Sequence, residues 1–204
     1  MEYLVTMTTN VPAGTSEETV NEVRAREAAR ARELAAAGHL LRLWRPPLAP
    51  GEWRTLGLFA ADDTVELEKI LASMPLRIWR SDEVTPLSPH PNDPPHRGPV
   101  PRGTPEFLTT FILAIPDGTA HEDVDAATAR DALTARELAG QGHLIRLWAL
   151  PERGSALGLW AARDAAQMRT IATSLPLSPW LTTRITPLTP HPSDPASTGR
   201  AEGK

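Results

Sequence analysis

The sequence predicts an α+β protein made of two ferredoxin-like β-α-β-β-α-β repeats that form an intramolecular dimeric α+β barrel, or pseudo-dimer. The main observation is that residues 38–44, GHLLRLW, return as residues 142–148 with one change, Leu41 to Ile145. Each copy also follows the same lead-in, ARELA. Such a match between distant segments indicates an internal duplication.

The first half of each copy is predicted as a strand and a long helix. β-Prone residues alternate over 2–9, and residues 17–37 are rich in Ala, Arg and Glu without Gly or Pro. Thr15 and Glu18 fit a capping box at the start of this helix, and Gly38 is a suitable stop.

The second half of the copy adds a helix and three strands. Asp63 and Glu66 form a second capping box, which opens a helix that continues through Ser73. The strands are predicted at 40–45, 54–60 and 78–87.

The duplication also predicts the domain organisation. The first repeat covers 1–95 and the second covers 106–195. Residues 96–105 are rich in Pro and Gly, which predicts an extended linker. Residues 196–204 are small and polar, which predicts a disordered tail.

The composition limits the classes of function. The net charge of -4 argues against nucleic acid and membrane surfaces as partners, and the absence of cysteine excludes disulfides and thiol nucleophiles. No secretory signal or membrane-length apolar run is present. We expect a cytoplasmic protein with a small-molecule substrate, an internal pseudo-dimer, and scope for further homo-oligomerisation.

A repeated carboxylate is the main candidate for chemistry. Glu27 lies in the middle of an otherwise apolar face of the long helix, and Asp131 is its counterpart in the second copy. Burial raises the pKa of a carboxyl group toward values useful to a general base. The alternative is that Glu27 reaches solvent or pairs with Arg24, one turn away.

Arg42 and Trp44 are predicted to share one face of a strand, as are Arg146 and Trp148 in the second copy. Such a pair suits a planar ligand that is anionic or bears a carbonyl group. The alternative is that the Trp belongs to the core and the Arg points outward. Two further tryptophans at matching positions are candidates for an aromatic wall or for interface packing: Trp79 and Trp180.

The remaining motifs predict neither a metal nor a cofactor. His39 and His143 follow a helix-ending Gly, where capping of the helix C-terminus explains them. The other histidines do not have the spacing of metal ligands, and the sequence contains no nucleophile elbow or phosphate loop.

If both helices cover one face of each sheet, the uncovered apolar faces can pack together, and we expect a ligand in the space that they enclose.

The sequence resembles the muconolactone delta-isomerase family. The resemblance covers both repeats and rests on Gly38 through Leu43-Trp44-Arg45, then Met74-Pro75-Leu76, then His90-Pro91. It implies a ferredoxin-like dimeric barrel and a cofactor-free double-bond shift by proton transfer in aromatic catabolism.

The family's Lys-x-x-Glu motif in the first helix implies roles in substrate binding and proton transfer for its counterparts here. Arg24 and Glu27 occupy these places in the first copy, and Thr128 and Asp131 occupy them in the second. The family's Leu-Trp-Arg motif is kept as Leu43-Trp44-Arg45 in the first copy but is Leu147-Trp148-Ala149 in the second. The first copy therefore matches the family better.

We therefore expect an isomerase-like enzyme that acts on a small lactone or cyclic carbonyl compound. Its predicted catalytic residues are Glu27, Arg24 and Asp131. Its predicted substrate-binding residues are Arg42, Trp44, Arg45, Trp79, Arg146, Trp148 and Trp180. Two alternatives remain: a cyclase, hydrolase or oxygenase of natural-product intermediates in secondary metabolism, and a non-catalytic ligand-binding module.

Overall fold

In the computed structural model, which describes residues 1–198, each repeat folds as β-α-β-β-α-β. The first contains β1 (Glu2–Thr9), α1 (Glu17–Ala36), β2 (Leu40–Arg45), β3 (Arg54–Ala60), α2 (Thr64–Ala72), a 3₁₀ turn (Pro75–Trp79) and β4 (Arg80–Pro89). The second contains β5 (Glu106–Leu113), α3 (His121–Gly140), β6 (Leu144–Ala149), β7 (Ser155–Ala161), α4 (Ala165–Ser174), a 3₁₀ turn (Ser178–Trp180) and β8 (Leu181–Pro190), followed by α5 (Pro195–Thr198). The predicted α+β class with two ferredoxin-like repeats is confirmed.

The chain divides into two units whose boundaries differ from those of the repeats. The first unit contains residues 1–87 and, from the end of the second repeat, residues 189–198. The second unit contains residues 88–188. Each unit therefore receives the end of the other repeat's last strand, and residues 199–204 of the predicted tail lie outside the described residues.

In the first unit the antiparallel sheet has the order β4-β1-β3-β2, and Thr189 and Pro190 pair beside β2. Alternate residues of β1 are buried, and they pack with residues of both helices in one core. This core comprises mainly Tyr3, Val5, Met7, Ala31, Leu34, Leu40, Leu43, Phe59, Leu67, Ile70 and Leu71. Both helices therefore cover the same face of the sheet.

In the second unit the sheet has the order β8-β5-β7-β6, and Ser88 and Pro89 pair beside β6. Its core has more aromatic surface, since Phe111 and Trp160 stand where the first unit has Met7 and Phe59.

Two predicted boundaries are wrong. Ser16, rather than Thr15, caps α1, because Ser16 has extended backbone and its side chain accepts from the N–H of Thr19. The fourth strand begins at Arg80 rather than at residue 78, because Pro75 opens a 3₁₀ turn.

The repeated GHLLRLW motif contains a β-bulge between Leu40 and Arg42. The bulge shifts the alternation, so Leu40 and Leu43 both join the helix-facing core. Arg42 and Trp44 still share one face, as predicted, since the Arg42 guanidinium lies 4.7 Å from the centroid of the Trp44 ring. His39 caps α1 through its backbone N–H, whereas its ring Nδ1 donates to Ala60 O at 3.1 Å.

The predicted linker, residues 96–105, has irregular backbone that packs against α3. The N–H of Gly98 donates to Ala139 O at 2.7 Å. A Cβ atom on Gly98 would collide with the carbonyl of Gly140, so this close approach requires glycine.

We predict unequal costs for alanine at the two helix-ending glycines. Gly38 and Gly142 have φ of 78° and 79°, a conformation that costs an L-residue about 1 kcal/mol. Only at Gly142 would the new Cβ also meet Pro99 O, at 2.6 Å. Urea unfolding should show that Gly142→Ala lowers the free energy of unfolding more than Gly38→Ala does. Equal decreases would contradict the packing of the linker against α3.

Candidate functional site

A cavity of about 380 Å³ lies in the first unit between α1 and the helix-facing side of its sheet. Its apolar part includes Met7, Ala28, Leu43, Trp53 and Leu76. Its polar groups are Asn21, Arg24, Glu27, Arg45, Arg80, His191 and Ser193, with Thr9 and Thr55. The sequence predicts a ligand space on the face of the sheet that the helices leave uncovered. This cavity lies instead on the face that the helices cover.

Glu27 is fixed in this cavity by two donors. The backbone N–H of Leu76 donates to its Oε2 at 2.8 Å, and Arg80 Nη1 donates to its Oε1 at 3.1 Å. The first donor is available because Leu76 lies in the first turn of a 3₁₀ helix, whose N–H groups have no partner within that helix. The alternative partner, Arg24, instead lies over the ring of Trp53, at 5.4 Å from its centroid.

Arg80 is the buried centre of an ion-pair network. Its side chain is 2% exposed, and its Nε donates to Asp82 Oδ1 at 2.6 Å. Asp82 also receives a contact from Arg77, which in turn pairs with Glu68 at 2.7 Å. Because the carboxylates of Glu27 and Asp82 both face one buried guanidinium, the position of Glu27 is tied to the start of β4.

Burial is the largest influence on Glu27 and raises its pKa above the usual value. The N–H of Leu76 and the charge of Arg80 act in the opposite direction and lower the pKa, while Asp82 raises it. A carboxyl group whose pKa is raised in this way holds a proton more readily than an exposed glutamate, which suits a group that must both accept and return one.

His191 reaches the cavity with the segment that follows β8. The bulge in β2 leaves the N–H of Leu43 free to donate to Asp194 Oδ1 at 3.0 Å, and Arg42 donates to both oxygens of Asp194 at 3.2 Å. The N–H of His191 donates to Leu43 O at 3.1 Å. The repeated motif thus anchors the segment that carries the histidine.

The His191 ring is neutral at physiological pH. Burial lowers its pKa to about 4, and the positive charges of Arg45 and Arg24 act in the same direction, against Asp194. The N–H of Ser193 donates to its Nδ1 at 3.1 Å, so the ring proton is on Nε2. His191 therefore offers one N–H donor.

The structure brings Glu27, Arg24 and Arg45 together at the cavity and places Arg42, Trp44 and Trp79 outside it. Arg42 lies over the Trp44 ring at 4.7 Å and binds Asp194, and Trp44 is 1% exposed in the core. The partly buried Trp79 belongs to the 3₁₀ turn.

The second unit has its own cavity, of about 410 Å³, lined by Asp131 and His90 among others. The N–H of Leu177 donates to Asp131 Oδ1 at 3.5 Å, which repeats the arrangement at Glu27. The structure places Arg146, Trp148 and Trp180 outside this cavity. Arg146 lies over Trp148 at 4.8 Å and within 3.5 Å of Asp93 Oδ2.

Three residues of the first cavity were missed as site residues from the sequence: Arg80, His191 and Trp53. Arg80 falls near the start of the predicted strand 78–87, and the one signal that distinguishes it is that its counterpart in the second copy is Leu181. His191 gives no signal in the sequence beyond the pair His191-Pro192, which repeats His90-Pro91 of the first copy. Trp53 lies in a loop that differs in length between the copies.

The chain matches proteins of known family in both repeats. The family profile described as muconolactone delta-isomerase matches residues 1–93 and 106–194. Muconolactone Delta-isomerase 1 of Acinetobacter lwoffii is 34% identical over 92 residues, which are 45% of this chain and 93% of that protein. The two matched segments confirm the predicted tandem duplication.

Several solved structures match nearly the whole chain, among them the following two. A heme-binding protein from Thermus thermophilus is 13% identical with a TM-score of 0.60, covering 95% of this chain and 93% of that one. A chlorite dismutase variant from Candidatus Nitrospira defluvii is 10% identical with a TM-score of 0.61, covering 93% and 91%. At these identities the matches show the fold alone.

Within residues 1–198, the helices are too short or too polar to cross a membrane. The same residues contain no group of three or more His, Asp or Glu placed to hold a metal ion.

We predict that Arg80→Met raises the pKa of Glu27 further, because the cation that favours its carboxylate is removed. NMR titration of the Glu27 side-chain carboxyl carbon would measure the shift. Leu181→Met, the corresponding change in the second unit, should leave Glu27 unchanged. A lower or unaltered pKa in Arg80→Met, with the fold intact by circular dichroism, would contradict the role given to Arg80.

Proposed function

The chain belongs to the muconolactone delta-isomerase family, and from this premise we propose that its first unit catalyses a cofactor-free double-bond shift in a small lactone that bears a carboxylate. The observation that carries the proposal is Glu27, partly buried and held by Leu76 N–H and Arg80 in a cavity that Arg24 and Arg45 also line.

The charges of the cavity favour an anionic substrate. Arg24 and Arg45 are exposed residues that line the cavity, whereas Arg80 is buried and already shared between Glu27 and Asp82. The two exposed guanidinium groups therefore supply the donors for a substrate carboxylate. Trp53 supports Arg24 by lying under its guanidinium group.

Glu27 is the proton carrier in this proposal. Its carboxylate takes a proton from a saturated carbon next to the conjugated C=C–C=O system of the lactone, and the negative charge that forms spreads to the carbonyl oxygen. The same carboxyl group then returns the proton to a different carbon of the conjugated system, so the double bond moves and no atom is gained or lost. The two donors hold the carboxylate while its protonation changes.

His191 is suited to stabilise the negative charge on the carbonyl oxygen. Its Nδ1 accepts from Ser193, so its Nε2–H is the available donor. Because its pKa is lowered to about 4, the ring is neutral at neutral pH. A neutral imidazole donor stabilises an oxyanion without competing with Glu27 as an acid.

The proposal predicts that Glu27→Gln lowers exchange of solvent deuterium into muconolactone by about 100-fold or more, since removal of a general base typically costs this much. Asp131→Asn, the matched change in the second unit, should retain the activity. NMR of the substrate in D₂O measures both.

Two results would count against the proposal. Exchange that persists in Glu27→Gln would remove Glu27 as the base. Muconolactone that binds the wild-type chain without any exchange would favour the alternative of a non-catalytic ligand-binding module.

A further inference from the structure

The cavity of the second unit differs in chemistry from that of the first, although the two repeats share one fold. Three arginines line the first cavity: Arg24, Arg45 and Arg80. Their counterparts by alignment of the copies are Thr128, Ala149 and Leu181, and all three line the second cavity. The second copy therefore lacks every one of these positive charges.

The remaining charges at the second cavity do not restore an anion site. Glu152 and Arg153 are adjacent, exposed residues of opposite charge. Asp131 is the acid in the interior and has no arginine counterpart to Arg80 beside it, because that place is taken by Leu181. An anionic ligand in the interior would thus meet a carboxyl group, and the one arginine at this cavity, Arg153, is exposed and adjoins Glu152.

An aromatic wall forms one side of the second cavity. Phe111 and Trp160 both line it, and their rings meet edge to face with centroids 6.3 Å apart. Trp160 is held in place because its Nε1–H donates to Thr109 Oγ1 at 2.8 Å. Gly158 is required here, since a Cβ atom at this position would collide with the Trp160 indole.

The polar groups of the second cavity include Asp131 and His90. The N–H of Asn92 donates to His90 Nδ1 at 3.0 Å, so the ring proton is on Nε2. Asp131 accepts the N–H of Leu177 through Oδ1. Burial raises the pKa of Asp131 and lowers the pKa of His90, which favours the neutral form of each.

We propose that the second unit is a separate binding site for an uncharged aromatic molecule that carries one hydroxyl or carbonyl oxygen. The ring stacks against Phe111 and Trp160, and the oxygen meets Asp131 and the Nε2–H of His90. This site selects against carboxylates, whereas the first cavity selects for them.

The experiment is a calorimetric titration of the full chain with two probes of similar shape, 2-naphthol and 2-naphthoate. Phe111→Ala removes part of the aromatic wall of the second cavity. Trp53→Ala removes an aromatic side chain from the first cavity instead. We expect Phe111→Ala to weaken 2-naphthol binding about fivefold or more and to leave 2-naphthoate unaffected. Trp53→Ala should weaken 2-naphthoate binding and leave 2-naphthol binding unaffected.

A second variant covers the case in which Phe111→Ala fails to fold. Thr128 is exposed, and Thr128→Arg restores a cation where the first unit has Arg24. The wild type should bind 2-naphthoate at one site and Thr128→Arg at two. The proposal is overturned if 2-naphthol fails to bind, if Trp53→Ala rather than Phe111→Ala weakens it, or if 2-naphthoate also depends on Phe111. Because no turnover is measured and Glu27 takes no part, these results are independent of the proposed isomerase activity.

Discussion

The arrangement of the first unit depends on one carboxylate held between a backbone N–H and a buried arginine. Leu76 N–H and Arg80 approach Glu27 from the turn that joins α2 to β4, so the long helix, the turn and the sheet are fixed to one another at this point. Removing one member of a buried ion pair costs about 3–5 kcal/mol, because the other charge is left without a partner. Structure and proposed chemistry thus depend on the same contact.

The second unit has the same fold but lacks the ion-pair network that surrounds Arg80 in the first unit. Its helix-to-turn contact persists as Leu177 N–H to Asp131, but Leu181 and Thr183 stand in place of Arg80 and Asp82. The backbone contact therefore serves the fold, and the buried arginine is a feature of the first unit. In our proposal, two sites of one ancestry have come to bind ligands of different charge, an anion in the first unit and an uncharged molecule in the second.

The sequence predicted the elements well because their signals are local. Strand alternation, helix composition and Gly38 as a stop depend on neighbouring residues, and the inward stripe that singled out Glu27 follows from helical periodicity. The missed features depend on distant pairing. Strict alternation cannot reveal the bulge before Arg42, which moves Leu43 to the core and exposes an N–H to Asp194. Nor can spacing show that His191 joins the first unit rather than its own repeat.

The most direct test of this account is a crystal structure of the chain with a non-reacting lactone that bears a carboxylate. We predict one bound molecule, in the first unit, with its carboxylate at Arg24 and Arg45 and its ring carbons against Glu27. The same molecule in the second unit's cavity, or a carboxylate bound away from these arginines, would contradict the account.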